Sequence, residues 1–215
     1  MRLRKLFSIV ALVGASVPAL AQPVETTDEA LKAAGASKGV ILLDVYWNRV
    51  WRCGRFESAQ LRSLTFERLP LAPSGDAPQS SVTLENPSRL APPQRFVPYA
   101  LIVEPGEYDL TAYEVGYARS IRDVGSTAAA RASTVENGRS RLGGFSVAPG
   151  EVVYLGNFAV DCYRDPIPWR YFTQGKADFA KHVEQYVSKY PSLKPESVVY
   201  RLFETKELGV SYELR

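Results

Sequence analysis

The sequence predicts a mainly β protein of the α+β class, built on an antiparallel β-sandwich with one amphipathic helix near its C-terminus. Apolar and polar residues alternate in several segments, which is typical of strands with one buried face. Two apolar runs are each interrupted by Pro-Gly-Glu, at 105–107 and at 149–151. Because proline presets φ and glycine accepts the positive φ of a type II turn, each phrase predicts a hairpin between two strands. Helical spacing of apolar residues is confined to about 174–190.

The chain begins with a segment typical of a cleaved secretory signal peptide. Basic residues precede an apolar run over 6–17, and small residues suit cleavage after Ala21. The run is shorter than the roughly 20 residues that span a bilayer, and no transmembrane segment is expected after signal removal. We therefore predict a signal peptide over 1–21, an N-terminal lead-in over 22–36 that is either a short helix or unstructured, and a single sandwich domain over 37–215, in the periplasm or secreted.

The net charge of the chain limits the classes of partner that can be argued from composition. The chain has 215 residues, with 26 Lys and Arg against 23 Asp and Glu. Removal of the leader takes away three basic residues and no acidic residue, so the mature chain carries no net charge. The overall charge therefore gives no argument for nucleic acid or an anionic surface as a partner, although a local basic patch stays open.

The chain has two cysteines, Cys53 and Cys162. Export places them in an oxidising compartment, where thiols pair. Both share the parity of the apolar residues in their strands, so both sulfurs are expected to point inward and to pin two layers of one core. A bond across 109 residues would stabilise the fold by roughly 4 to 5 kcal/mol in the chain-entropy model. The alternative is two buried free thiols.

A long strand with one buried face is predicted over 39–53. Trp47 and Trp51 lie in phase with its apolar residues, so both are expected mainly in the core. Tyr46 has the opposite parity and is the better candidate for an exposed ring. If some rings face outward, the alternative is a stacking platform for sugars or a partner protein, since three arginines are interleaved with them: Arg49, Arg52 and Arg55.

The other elements follow along the chain. Further strands are predicted over 58–69, 80–85, 96–103, 107–117, 152–162, 197–204 and 210–214, with a loop at 73–78. Residues 118–144 are rich in Arg, Ser, Ala and Gly without sustained periodicity, which predicts a long mobile loop or a distorted hairpin. The helix has Phe179, Val183 and Tyr186 on one face and ends at Pro191.

The only histidine in the sequence, His182, flanks the apolar stripe of this helix. One imidazole excludes a multi-histidine metal site, and the two cysteines are too far apart in sequence for a zinc knuckle. No Gly-x-Ser-x-Gly segment accompanies the histidine, as a hydrolase of that type would require. We therefore predict that His182 packs at the helix edge, and we expect no cofactor and no metal.

Carboxylates and aromatic rings supply the candidate binding residues. Glu107 and Glu151 follow the two Pro-Gly pairs, and neighbouring turns would bring them together as a glycosidase-like pair or a calcium site. The alternative is that both are solvated turn residues. Trp169 lies in an aromatic segment before the helix and offers, with Tyr46, a contact surface.

The segments Val103–Leu110 and Val147–Gly156 resemble those of uncharacterised exported bacterial β-sandwich proteins, in which a "PGxY-L" hairpin is followed by a "PGE-x-x-Y-G" hairpin. Similar turns occur in transthyretin-like and carboxypeptidase-regulatory-like sandwich domains. The resemblance covers roughly residues 96–162. It implies an envelope or secreted sandwich and supplies no catalytic residue to carry over.

The sequence thus predicts an exported, non-enzymatic binding or structural module of the bacterial cell envelope. Its expected partner is an envelope protein or a glycan, and not nucleic acid. The alternative is a glycan-active hydrolase or a carbohydrate-binding module that uses paired carboxylates and exposed aromatic rings.

Overall fold

The computed structural model describes residues 26–71, 80–88, 90–162 and 175–205, together with the backbone alone of 169–172. Three predicted features lie outside this part of the chain, namely the signal peptide over 1–21, the loop at 73–78 and the strand at 210–214. Among the helices within it, none has the length and apolar character needed to cross a bilayer.

The described residues form three α-helices and thirteen β-strands, and most of the strands follow one another along the chain. The helices are α1 (Asp28–Ala34), α2 (Arg131–Thr134) and α3 (Lys176–Lys189). The strands are β1 (Gly39–Val45), β2 (Val50–Cys53), β3 (Phe56–Arg68), β4 (Ser81–Glu85), β5 (Val97–Val103), β6 (Gly106–Ser120), β7 (Asp123–Ala129), β8 (Val135–Glu136), β9 (Arg139–Ser140), β10 (Gly144–Val147), β11 (Val152–Val160), β12 (Trp169–Phe172) and β13 (Val198–Tyr200).

Two sheets face each other. Sheet A has the order β12, β11, β1, β5, with β13 also beside β11. Sheet B has the order β10, β6, β3, β2, with β4 on β3 and β7 on β6. All ladders of sheet B are antiparallel, whereas β1 with β11 and β11 with β13 are parallel. The predicted mainly β, α+β class is confirmed.

The core lies between the two sheets, and its centre is aromatic. Phe66 of sheet B meets Phe145, Phe158 and Phe203 edge to face, with ring centroids 5.6 to 6.0 Å apart. Edge-to-face rings add about 0.5 to 1.5 kcal/mol per pair beyond the area that they bury. These contacts hold the two sheets in one packed unit.

A third layer covers the outer face of sheet A. Leu42 of β1 and Tyr154 of β11 pack there against Tyr186 of α3 and Tyr190 directly after it. Because β1 is covered on both faces, every one of its residues is buried. The predicted helix over about 174–190 is confirmed at Lys176–Lys189, with Val183 and Tyr186 on its buried face.

The predicted strand over 39–53 is wrong as a single strand. It divides into β1 of sheet A and β2 of sheet B, and residues 46–49 between them leave the extended ladder. The alternation of buried residues therefore does not continue across the break. Trp47 is buried, as predicted, but Trp51 is 66% exposed, because on β2 it is Val50 that packs against the core.

The two Pro-Gly phrases turn the chain, but the predicted hairpins are wrong. The first joins β5 of sheet A to β6 of sheet B, and the second joins β10 of sheet B to β11 of sheet A. Gly106 and Gly150 have positive φ, at 151° and 73°. The second phrase closes a turn in which Glu151 N donates to Ala148 O at 3.1 Å. Both phrases therefore connect the layers of the sandwich rather than neighbours within one sheet.

Most of the predicted loop over 118–144 is ordered, so the distorted hairpin was the correct alternative. β6 extends to Ser120 and returns as β7, which is followed by α2 and by the small hairpin of β8 and β9. Inward and outward residues alternate along β7, but they are mostly small: Gly125, Thr127 and Ala129 on one side, and Ser126 and Ala128 on the other. Because the residues on the two sides differ little in hydropathy, the alternation that would predict a strand is not visible in the sequence.

The predicted disulfide is confirmed. Cys53 and Cys162 are bonded, with an S–S distance of 2.04 Å and their Cα atoms 4.6 Å apart. Cys53 ends β2 of sheet B and Cys162 follows β11 of sheet A. The bond therefore joins the two layers covalently.

Candidate functional site

Helix α3 holds His182 against Asp44, which lies on the outer face of sheet A. Nδ1 of His182 is 2.9 Å from Oδ2 of Asp44, and the two side chains are 11% and 1% exposed. Nε2 of the same ring faces the side-chain amide of Asn157 at 3.3 Å and Asp178 Oδ1 at 3.5 Å. Burial alone would lower the pKa of His182, but Asp44 and Asp178 outweigh it and raise this pKa above its ordinary value.

Two tyrosines complete this buried polar cluster. The hydroxyl of Tyr154 donates to Asn157 Oδ1 at 2.6 Å and lies 3.2 Å from Asp44 Oδ2. The hydroxyl of Tyr186 donates to the backbone oxygen of Leu43 at 2.7 Å. Burial, together with the charge of Asp44, raises the pKa of Tyr186 well above its ordinary value. The Tyr186 hydroxyl thus stays protonated and ties α3 to β1, while the Tyr154 hydroxyl ties β11 to β1.

A carboxylate behind an imidazole is also the geometry that orients a catalytic base. A base needs a ring nitrogen that can reach the proton of a substrate. In this cluster both nitrogens of His182 face protein groups, so the arrangement serves to dock α3 on sheet A. The sequence reasoning placed His182 at the helix edge but missed Asp44, although an aspartate inside the apolar run 40–45 was a usable signal.

Glu107 lies on β6 beside a shallow open groove of about 390 Å³, which Leu69, Pro70, Gly138 and Arg139 also line. Its carboxylate binds Nη1 of Arg139 at 2.9 Å.

The same guanidinium binds the buried carboxylate of Asp109 through Nε and Nη2, both at 3.1 Å. Asp109 also accepts from the backbone N–H of Ser140 at 2.8 Å. The charged groups of the groove therefore fasten the β8–β9 hairpin to sheet B.

Glu151 lies in the second Pro-Gly turn and binds a different arginine. Arg201 donates to both of its carboxylate oxygens at 2.8 Å and to the backbone oxygen of Ser146 at 2.8 Å. The Arg201 guanidinium, with the backbone N–H of Ala148, holds the pKa of Glu151 below its ordinary value. Glu107 and Glu151 are thus each engaged in an ion pair of their own.

The two aromatic candidates are not brought together by any contact that the structure describes. Tyr46 is half-buried, and its ring packs on Phe96 with centroids 5.3 Å apart. Trp169 is the first residue of β12, where its backbone pairs with Val160 of β11. The side chain of Trp169 lies outside the described part of the chain.

One end of sheet B carries the most distinctive surface, which we call the cationic end. It consists of the turn between β2 and β3, the turn between β6 and β7, and the residues beside them. Because β3 runs antiparallel to both β2 and β6, the two turns lie at the same end of the sheet. The surface is made of eight exposed residues: Arg49, Trp51, Arg52, Arg55, Arg119, Ile121, Arg122 and Val124.

Cation–π contacts hold part of this surface in place. The guanidinium carbon of Arg49 lies 5.3 Å from the ring centroid of Trp51. That of Arg119 lies 5.2 Å from Phe56 and 4.8 Å from Tyr117. The sequence identified the arginines and rings of 49–56 as a possible platform, but it could not place them beside the β6–β7 turn.

The described residues contain no group of three or more His, Cys, Asp or Glu side chains placed to hold a metal ion. Comparison of the chain with protein-family models, with curated proteins and with solved structures found no match.

Proposed function

We propose that the protein is an exported, non-enzymatic binding module of the bacterial cell envelope, which contacts its partner through the cationic end. One observation carries the proposal, namely the 66% exposed indole of Trp51 among five arginines. Tryptophan and arginine are the residues most enriched in the energetically important parts of binding surfaces.

The disulfide supports both export and binding. Disulfides persist in oxidising compartments such as the periplasm. Cys53 is two residues from Trp51, so the bond to Cys162 anchors the strand that carries the exposed ring. A surface held in place before it meets its partner loses less conformational entropy on binding.

The hydrolase alternative has less support. Glu107 and Glu151 neutralise separate arginines, and the ring nitrogens of His182 face protein groups. A carbohydrate-binding module is favoured by one observation, the open indole of Trp51, since sugars stack on exposed rings. Arg49 lies over that ring, however, and a neutral sugar would have to displace its cation–π contact.

The contact surface can be tested in intact cells with a photo-crosslinking amino acid at position 51. The matched control carries the same probe at position 90, where Leu90 is 98% exposed in the segment between β4 and β5. We expect crosslinks to one envelope component from position 51 and none to it from position 90. Equal crosslinking from both positions, or none from position 51, would contradict the proposal.

The enzymatic alternative needs its own assay. The purified protein is incubated with cell-wall glycans beside the variants Glu107→Gln, Glu151→Gln and His182→Gln. We expect no turnover by the wild-type protein. Turnover that any of these variants abolishes, while the variant remains folded by circular dichroism, would establish the hydrolase instead.

A further inference from the structure

We infer that the partner of the cationic end is the surface of a bilayer that contains anionic phospholipid, and that Ile121 and Trp51 enter its headgroup region. The inference rests on the proposed function and names the chemistry of the partner. It is argued from three properties of this surface: the alignment of its residues, its apolar side chains and its charge.

The ladders of sheet B align the surface in one row. Trp51 pairs with Ser58, Ser58 with Ala118, and Ala118 with Val124. Residues that pair directly across strands point to the same face, and each step between strands is about 4.8 Å. Trp51 and Val124 therefore lie on one face with their backbones about 14 Å apart. Ile121 occupies the turn just beyond this row.

The apolar side chains of this end are unusually exposed. Ile121 is 95% exposed at the tip of the β6–β7 turn, and Val124 is 64% exposed on the strand that follows it. Single exposed apolar residues are common on soluble proteins. Here, however, Ile121 stands at a hairpin tip, and Val124 shares a row with an exposed indole. Tryptophan prefers the membrane interface because its ring is apolar and its N–H is polar.

The charge of this end is opposite to that of an anionic bilayer. Five arginines surround the apolar residues, whereas the two stretches 49–57 and 117–124 contain only two carboxylates, Glu57 and Asp123. Asp123 lies 3.5 Å from Arg119, so the charge of that arginine is partly neutralised. The chain without its leader carries no net charge, so this positive surface is local. Each arginine near an anionic membrane strengthens binding by about fivefold.

The combination favours a bilayer over a soluble polyanion. Arginine side chains extend their apolar stems along apolar surface while the guanidinium reaches phosphate. A polyanionic glycan would use the arginines and the indole, but it gives no reason for an isoleucine at the hairpin tip. A bilayer uses all three, because the apolar tips enter the headgroup region while the arginines contact lipid phosphate.

The test is co-flotation of the purified, natively processed protein with vesicles. One set is made of equal parts phosphatidylcholine and phosphatidylglycerol, and the other of phosphatidylcholine alone. We expect binding to the anionic vesicles that weakens with added salt, a blue shift of tryptophan fluorescence on binding, and little binding to the neutral vesicles. The Trp51→Phe variant should lose the blue shift, which assigns it to position 51.

Two variants and a control probe the surface itself. Arg49→Gln combined with Arg122→Gln should weaken vesicle binding about thirtyfold. Ile121→Ser should weaken it about tenfold at unchanged charge. Val199→Ser, at an exposed apolar position on β13 of sheet A, should leave binding unchanged. Thermal unfolding of each variant verifies that it is folded.

Several results would overturn the inference. They are equal binding to neutral and anionic vesicles, wild-type binding by the double arginine variant or by Ile121→Ser, and binding to a soluble anionic polysaccharide as tight as to the vesicles. Failure here stays distinct from failure of the proposed function. Crosslinks from position 51 to an envelope protein or glycan, without vesicle binding, would reject the bilayer and keep the binding module.

Discussion

Nδ1 of His182, on α3, lies 2.9 Å from Oδ2 of Asp44, on β1, and the Asp44 side chain is 1% exposed. The pair thus places an imidazole and a carboxylate in the layer between helix α3 and sheet A. A buried carboxylate is costly unless a partner compensates its charge. His182 is that partner, and because its pKa is raised in the folded state, the stability of the helix layer is coupled to pH.

The stability contributed by His182 should fall as the pH rises above 6.5. Its pKa is raised above the ordinary value of 6.5, so the folded state binds the proton more tightly than the unfolded state. The contribution is therefore complete below about 6.5 and is lost as the pH rises through the raised pKa. The difference in Tm between wild type and His182→Gln should shrink over that range. A difference that stays constant or grows with pH would contradict this assignment.

The same pair predicts strong coupling between two substitutions. His182→Leu leaves Asp44 without its imidazole partner and should cost about 3 kcal/mol of the free energy of unfolding. Asp44→Leu with His182→Leu removes both charges and should cost clearly less than the sum of the single changes. Urea unfolding below pH 6.5 measures both quantities. Additive effects would mean that the two side chains act independently.

Loss of the disulfide should destabilise the fold substantially. The bond closes a loop with a sequence separation of 109 residues, which the chain-entropy model values at about 4 to 5 kcal/mol. Cys53→Ala with Cys162→Ala should lower the free energy of unfolding by about this amount. Reductant should produce a similar loss in the wild type and no further change in the double variant. A wild type that is indifferent to reductant, with two titratable thiols per unfolded chain, would contradict the bond.

The second Pro-Gly turn should depend on its glycine. Gly150 has a φ of 73°, a conformation that costs an L-residue with a Cβ atom roughly 1 to 2 kcal/mol. A Cβ atom there would also lie 3.3 Å from the Cα of Ala36. Gly150→Val should therefore destabilise the fold more than Gly150→Asn, because asparagine tolerates this region better. Equal losses in chemical unfolding would show that crowding, and not φ, sets the cost.

Local patterns predicted much of the fold. Apolar runs bounded by turn residues located β4, β5 and most of β3, and helical spacing located α3. These succeed because each depends on residues close together in sequence. Strand β7 was not predicted, because its small residues give no hydropathy contrast. The exposure of Trp51 was not predicted, because residues 46–49 interrupt the strand and the alternation does not continue beyond them.

The sequence by itself determined where the chain turns and which residues favour strands and helix. It did so because turn chemistry and side-chain periodicity are local properties. Only the tertiary structure decided that each Pro-Gly turn connects two sheets, that Asp44 meets His182, and that Trp51 shares an end with Ile121. Those relationships depend on strand order and register, which arise from packing between segments far apart in the chain.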